Sequence, residues 1–390
     1  MADTTIADLV RTLTTNTGAI LPITIAGATY GIPVSAIVTA SGDMGSGSFQ
    51  LPTGTASNRP PNPQPGIIRW NTSLSAIETF NGSFWSSDKL NVDVLVVGGG
   101  GGGSVNCGGG GGGGAVVIAN TILDVNAVYS VLVGAGGTGS TDPALYSANV
   151  RGNPGSSSLF NNIIATGGGG GGSWNTTPGG PGANGGGGGS TSAVGGIGTA
   201  PTLPAGVTGT VYAGFKGAAA IADNHLGGGG GGAGGSATDL FAAGAPGVQI
   251  NFEGIPYYYG GGGGGAGWRY VGGNGGFGGG GGGGGAQGGG AGSGGTGGKN
   301  NGGNGLYAGN SVNTGNGGAN TGGGGGGGTF YGANGAYGAN GGSGIVQVRY
   351  LGAQRATGGN RIFQATINQA LYTVHEFTAI GAATLRVSSV

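Results

Sequence analysis

The 390 residues include 111 glycines, twelve basic and twelve acidic side chains, against roughly 7% glycine in ordinary proteins, and they lack the Gly-X-Y period of collagen. Charge this sparse and balanced supplies no footprint for nucleic acid or an anionic membrane, so neither is an expected partner. The single Cys107 excludes an internal disulfide and, set between glycine runs, is expected to be structural.

The N-terminus "MADTTIADLVRTL" has no basic n-region followed by an apolar h-region, and no apolar run approaches the ~18 residues of a membrane span. A soluble chain made in the cytoplasm is expected. Residues 1–58 lean toward β structure in "AILPITIAGATYGIPVSAIVTASG", with one short helix allowed in "TTIADLVRTL". Residues 59–91 begin in a proline-rich connector, since Pro60, Pro61, Pro63 and Pro65 hold Asn58 to Gly66 extended or turned. A hairpin of "GIIRWN" and "AIETFNG" follows, with Asn81-Gly82 suited to positive φ before "SFW".

Residues 92–351 hold nearly all the glycine. "VDVLVVGGGGGG" opens like a dinucleotide site, but that fingerprint needs a helix behind its glycines, and each glycine costs a helix interior nearly 1 kcal/mol. Polyglycine also satisfies GxGxxG trivially, and Asp124 lacks the βαβ context that would give it meaning. A calcium β-roll needs an Asp in every repeat, whereas Asp223 and Asp239 lie between the runs.

The runs at 98–103, 108–114, 167–172, 185–189, 227–232, 260–265, 278–285 and 322–328 exclude even serine, unlike flexible Gly/Ser linkers. The expectation is a bundle of extended threefold helices of polyproline II geometry, bonded sideways so closely that no Cβ fits, as at collagen's axis. The flanking strands "VDVLVV", "AVVIAN", "AVYSVLVGAGG" and "GGSGIVQVRYL" would fasten the bundle. The fold class is therefore mostly β and irregular, with short β-modules beside a polyglycine II sandwich in an elongated, fibre-like chain. Residues 352–390 return to β composition and are expected to form a small terminal sheet or edge hairpin.

The order "VDVLVVGGGGGG", "YSVLVGAGGTG", "NNIIATGGGGGGS", "ANTGGGGGGG" and "NGGSGIVQVRY" resembles the glycine-rich domain of many bacteriophage tail-fibre and adhesin proteins, over Val92 to Leu351. "SNRPPNPQPGIIRWNTSLSAIETFNGSFW" resembles a short β-module of phage fibres. The resemblance implies a homotrimeric virion fibre, attached through its N-terminal region to other virion proteins, with inter-helix loops that bind a host-surface glycan or outer-membrane protein. One departure is "LYTVHEFTAIGAATLRV", similar to a strand pair that usually precedes the glycine region but here follows it.

Because glycine offers no side chains, recognition has to sit in the loops. The receptor-binding candidates are Trp174, Tyr257, Tyr258, Tyr259, Trp268, Tyr270, Phe330, Tyr331 and Tyr337, since Tyr and Trp give large contact area with few rotatable bonds. Catalysis finds little support: His225 and His375 stand alone, and Glu78, Glu253 and Glu376 are scattered. No cofactor or metal is expected. The competing readings are a capsid-decoration or spacer protein and, lacking a regular Thr or Ala face, an ice-binding protein.

Overall fold

The computed structural model describes residues 20–25, 28–33, 51–83, 85–141, 150–174, 177–191, 193–220, 225–238, 242–307, 315–331, 334–335 and 337–388, with the backbone alone at 20–25, 28–33, 330–331 and 334–335. Nearly all of it is strand or irregular. The short helix allowed in "TTIADLVRTL" lies outside the described residues. The chain divides into two compact units, Met1–Lys89 and Leu90–Val390.

In the first unit, strands Ile20–Ile25 and Ala28–Pro33 form an antiparallel hairpin. A four-stranded sheet follows, in the order Thr53–Gly54, Ile68–Asn71, Ala76–Phe80, Trp85–Ser87. The expected hairpin is present, with Asn71 opposite Ala76, and Gly82 takes φ 104° just before Trp85. Arg59 is more than a connector residue. Its guanidinium reaches Glu78 (Nη2 to Oε2, 2.7 Å), which Asn71 Nδ2 also meets at 2.8 Å and Arg69 at 3.5 Å. Burial pushes the Glu78 carboxyl up, but hydrogen bonds from Arg59 and Asn71 and the charges of both arginines outweigh it and hold the group below its usual range.

The second unit rests on two sheets. One runs Thr208–Tyr212, Val116–Asp124, Lys89–Val97, Ile345–Leu351, Ala370–Phe377, Arg361–Ile367; the other runs Ile163–Ala165, Ser158–Phe160, Val128–Val133, Gly381–Val387, Ala356–Thr357. Val92, Val94 and Val96 face the second sheet across a core with Val131, Phe160 and Leu385. Leu95 and Val97 face a second core with Ile250, Phe252 and Tyr259. A strand buried on both faces reads as continuous apolar sequence, which is why "VDVLVV" imitates a nucleotide-enzyme strand. Residues 352–390 supply the expected edge hairpin, Arg361–Ile367 with Ala370–Phe377 at the edge of the first sheet, and their strands also pair with Ile345–Leu351 and Val128–Val133. The expected boundary at 351/352 thus falls inside a sandwich, because antiparallel pairing follows side-chain fit and not chain order.

From this sandwich the glycine runs project. Gly98, Gly101 and Ser104 donate to the carbonyls of Ala115, Gly112 and Gly109; Gly99 and Gly102 donate to Ser156 and Asn153; Gly100 and Gly103 donate to Gly342 and Ala339. Every third amide faces the same neighbour, as a threefold extended helix requires. The run's carbonyls accept from three other chains, through Gly137 and Ser140, Gly168 and Gly171, and Gly325 and Gly328. One run therefore has six neighbours. These bonds measure 2.7–3.1 Å.

The glycines are there for their size. Gly98–Gly103 and Gly108–Gly114 contain no positive φ, which appears at run entries such as Gly260 (φ 73°) and Gly322 (φ 68°). A Cβ added at Gly101, Gly111 or Gly263 would fall within 3.0 Å of a carbonyl of Gly169, Gly101 or Gly325 respectively. Overpacking of a close-packed interior costs about 1–3 kcal/mol, and here the obstacle is backbone that cannot rotate away.

Gly101→Ala is expected to lower unfolding stability by at least ~2 kcal/mol, while Gly235→Ala, with nothing within 4 Å of the added carbon, leaves it within ~0.5 kcal/mol; denaturant titration of both variants checks this. Glu78→Gln leaves two arginines facing a neutral amide, so the first unit is expected to lose about 3 kcal/mol, read from its own unfolding transition.

Candidate functional site

An extended run carries the chain from one end of the bundle to the other, so its two flanks lie apart. Gly98 bonds Ala115, Ala115 bonds Thr166, and Gly260 bonds Thr321, which places these residues together beside the sandwich. Ser190 bonds Cys107, Gly227 bonds Ala266, Ala266 bonds Gly108 and Gly108 bonds Gly328 at the opposite, far end.

The far end gathers rings from three separate loops. Trp174 stacks on His225, with centroids 4.8 Å apart and planes at 26°, and His225 meets Trp268 edge-on at 5.2 Å. The Arg269 guanidinium lies 4.5 Å from the Trp268 ring centroid. Tyr270 and Val271 beside them are exposed. His225 takes φ 47°, and its carbonyl accepts from Trp268 N at 3.4 Å. Its Nδ1 is buried without a hydrogen-bond partner among the described residues. Tyr337 is half-buried at this end, next to Gly338, which bonds Ser140. Exposed Tyr307 also lies here, accepting from Gly288 N at 3.3 Å. The sequence reading missed Tyr307 and the place of His225, although both adjoin glycine-rich stretches.

Tyr257, Tyr258 and Tyr259 are at the other end, and they are not a loop. They form strand Pro256–Tyr259, paired with Val248–Asn251. Tyr259 is 1% exposed in the second core, and burial, with added repulsion from Glu253 and Glu376, holds its phenol well above the ordinary range. A packed ring of this kind cannot touch a receptor, which corrects its selection as a contact residue. Tyr258 packs against Phe277 at 5.7 Å and Tyr257 lies under Lys299. The split follows from the run 260–265, which lies between Tyr259 and Trp268 and keeps its own flanks apart. Of Phe330 and Tyr331 only the backbone is described, as a short strand paired with Asn334–Gly335.

Sequence spacing also hid a pair of carboxylates. Lys299 Nζ bridges Glu253 (2.8 Å) and Glu376, Gln347 Nε2 donates to both, and Arg361 reaches Glu376 at 3.4 Å. Both acids are engaged in ion pairs that clasp the hairpin Val248–Tyr259 to the sheet. His375 is fully buried: its Nδ1 donates to the Gly358 carbonyl (2.8 Å), so the neutral ring accepts at Nε2 from Tyr350 Oη (2.9 Å), which itself accepts from Arg355 N. Burial pulls the imidazole below its ordinary value, and the Gly358 bond only partly restores it.

A family described as a glycine-rich domain matches residues 78–306, more than half of the chain, and the chain belongs to that family. No curated protein matches it.

Because folded His375 takes up its proton at lower pH than the unfolded imidazole (about 6.5), the unfolded state binds more protons in that window. Stability is expected to fall as the pH drops below about 6.5. Melting curves from pH 7.5 to 5 check this, with His375→Gln expected to start lower and to vary less over the same interval.

Proposed function

We propose that this glycine-rich-domain protein is a non-enzymatic phage virion fibre or adhesin that binds the host surface through the loops at the far end of its bundle. The observation that supports this reading is the meeting of Trp174, His225 and Trp268 beside exposed Tyr270. A lattice bonded on every side is a rigid mount, and rigid aromatic anchors lose little conformational freedom on binding. Few charges lie among them, which favours a glycan or a neutral protein loop over an anionic partner.

In this reading residues 1–58 attach the chain to other virion proteins, three copies assemble together, and the sandwich positions the bundle. These elements rest on the resemblance of the glycine runs and the "RPPNPQPGIIRWNT" module to phage fibres. The tyrosine strand 256–259 has no part in recognition.

Trp268→Ala combined with Tyr270→Ala is expected to weaken adsorption to host cells at least ~10-fold, about 1.4 kcal/mol, without changing the melting temperature. Tyr258→Ala should leave adsorption unchanged. Competition of purified protein against virions on cells, with glycan-array binding in parallel, is the measurement; wild-type protein that neither competes nor binds would assign the chain to a spacer or decoration role instead.

A further inference from the structure

A laterally bonded lattice has an edge problem: each outermost chain still turns every third amide outward, where another chain could accept it, as at an exposed β-edge. The outer chains 135–140, 338–343, 315–318, 301–306, 289–296 and 271–277 lie side by side, joined by backbone bonds such as Gly341 to Gly137, Gly317 to Asn340, Gly303 to Asn316, Gly305 to Gly292 and Gly272 to Gly290. In 338–343, Gly338 and Gly341 donate to one neighbour and Ala339 and Gly342 to another. The third series, at Asn340, points out.

That outward amide is already taken. Asn340 N donates to Asn316 Oδ1 at 3.0 Å, Gly139 N to Asn340 Oδ1 at 2.9 Å, Gly294 N to Asn304 Oδ1 at 2.9 Å, and Ser293 N to Asn274 Oδ1 at 2.9 Å. All four asparagines are exposed. In each case the side chain of one outer chain reaches the amide of the adjacent outer chain, and each sits in a short motif, "GNG" at 273–275, 303–305 and 315–317 and "ANG" at 339–341. Asparagine suits the task because its carbonyl oxygen imitates the peptide acceptor that a further chain would bring, on a side chain short enough to lie flat.

We propose that Asn274, Asn304, Asn316 and Asn340 terminate the lattice: they occupy outward donors at Gly139, Ser293, Gly294 and Asn340 and so prevent this face from stacking on the same face of a second copy of the chain. Removing the acceptors re-exposes a flat, glycine-lined surface whose free amides match the carbonyls of an identical face.

The test compares wild-type protein with Asn304→Gly/Asn316→Gly/Asn340→Gly by sedimentation velocity over a hundredfold concentration range. The triple variant is expected to associate further in a concentration-dependent way, whatever oligomer the wild type forms, while Asn316→Asp, which keeps an acceptor and adds charge, stays at the wild-type state. Amide exchange supplies a reading independent of association: Gly139 should exchange slowly in wild type and at least ~10-fold faster in Asn340→Ala, with Gly101 unchanged. A folded triple variant that sediments like wild type would overturn the proposal, as would equal exchange at Gly139 in wild type and Asn340→Ala; should the triple variant not fold, the exchange comparison decides alone.

Discussion

The structure depends on the sideways hydrogen bond between chains that lie too close to admit a Cβ. A net hydrogen bond contributes about 1 kcal/mol, while fixing a residue's backbone costs about 1–2 kcal/mol, and glycine is the costliest to fix. One donated bond per residue, as in the run Gly98–Gly103, therefore leaves the lattice near balance or slightly short. Close contact on six sides adds dispersion. The remainder has to come from conventional cores.

Those cores sit at the strand end of the bundle. Strand Lys89–Val97 is buried on both faces over its last four residues, 94–97, and leads directly into Gly98, so hydrophobic burial orders the chain just where the lattice begins. The chain leaves the lattice into this same sheet at Val116 and again at Ile345. The Arg349–Asp93 ion pair (3.0 Å) and the Lys299 clasp pin register around it. Residues 352–390 complete both sheets and add Ala356, Phe377, Leu385 and Val387 to the core that holds the glycine runs. A scaffold anchored at one end and saturated along its length leaves its side-chain chemistry to the far loops.

The glycine bundle was legible from its runs, because exclusion of serine reports steric crowding. The hairpin at 68–80 and the fastening strands were legible from apolar pattern and turn residues. Chain count was not: 135–140, 152–156, 193–199 and 289–296 mix glycine with Ala, Asn, Pro, Thr, Ser, Val or Ile and look like loops, yet they are lattice members; in the last, exposure repeats every third residue, with 289, 292 and 295 buried and 290, 293 and 296 exposed. Without that count the loops could not be assigned to ends, and the aromatic set was pooled from both. The place of Asn in "GNG" gave no sign in the sequence that it marks the lattice edge.

The sequence by itself determined that this chain packs backbone against backbone, since only steric exclusion explains runs of pure glycine, and it determined the strands that hold them. The tertiary structure alone decided which loops share an end, that Tyr259 is core while Trp174, His225 and Trp268 meet, and that Glu253, Lys299 and Glu376 join. The physical reason is that each lattice bond links residues far apart in the chain, so the neighbours of a glycine run depend on how the whole chain is threaded, which no local pattern records.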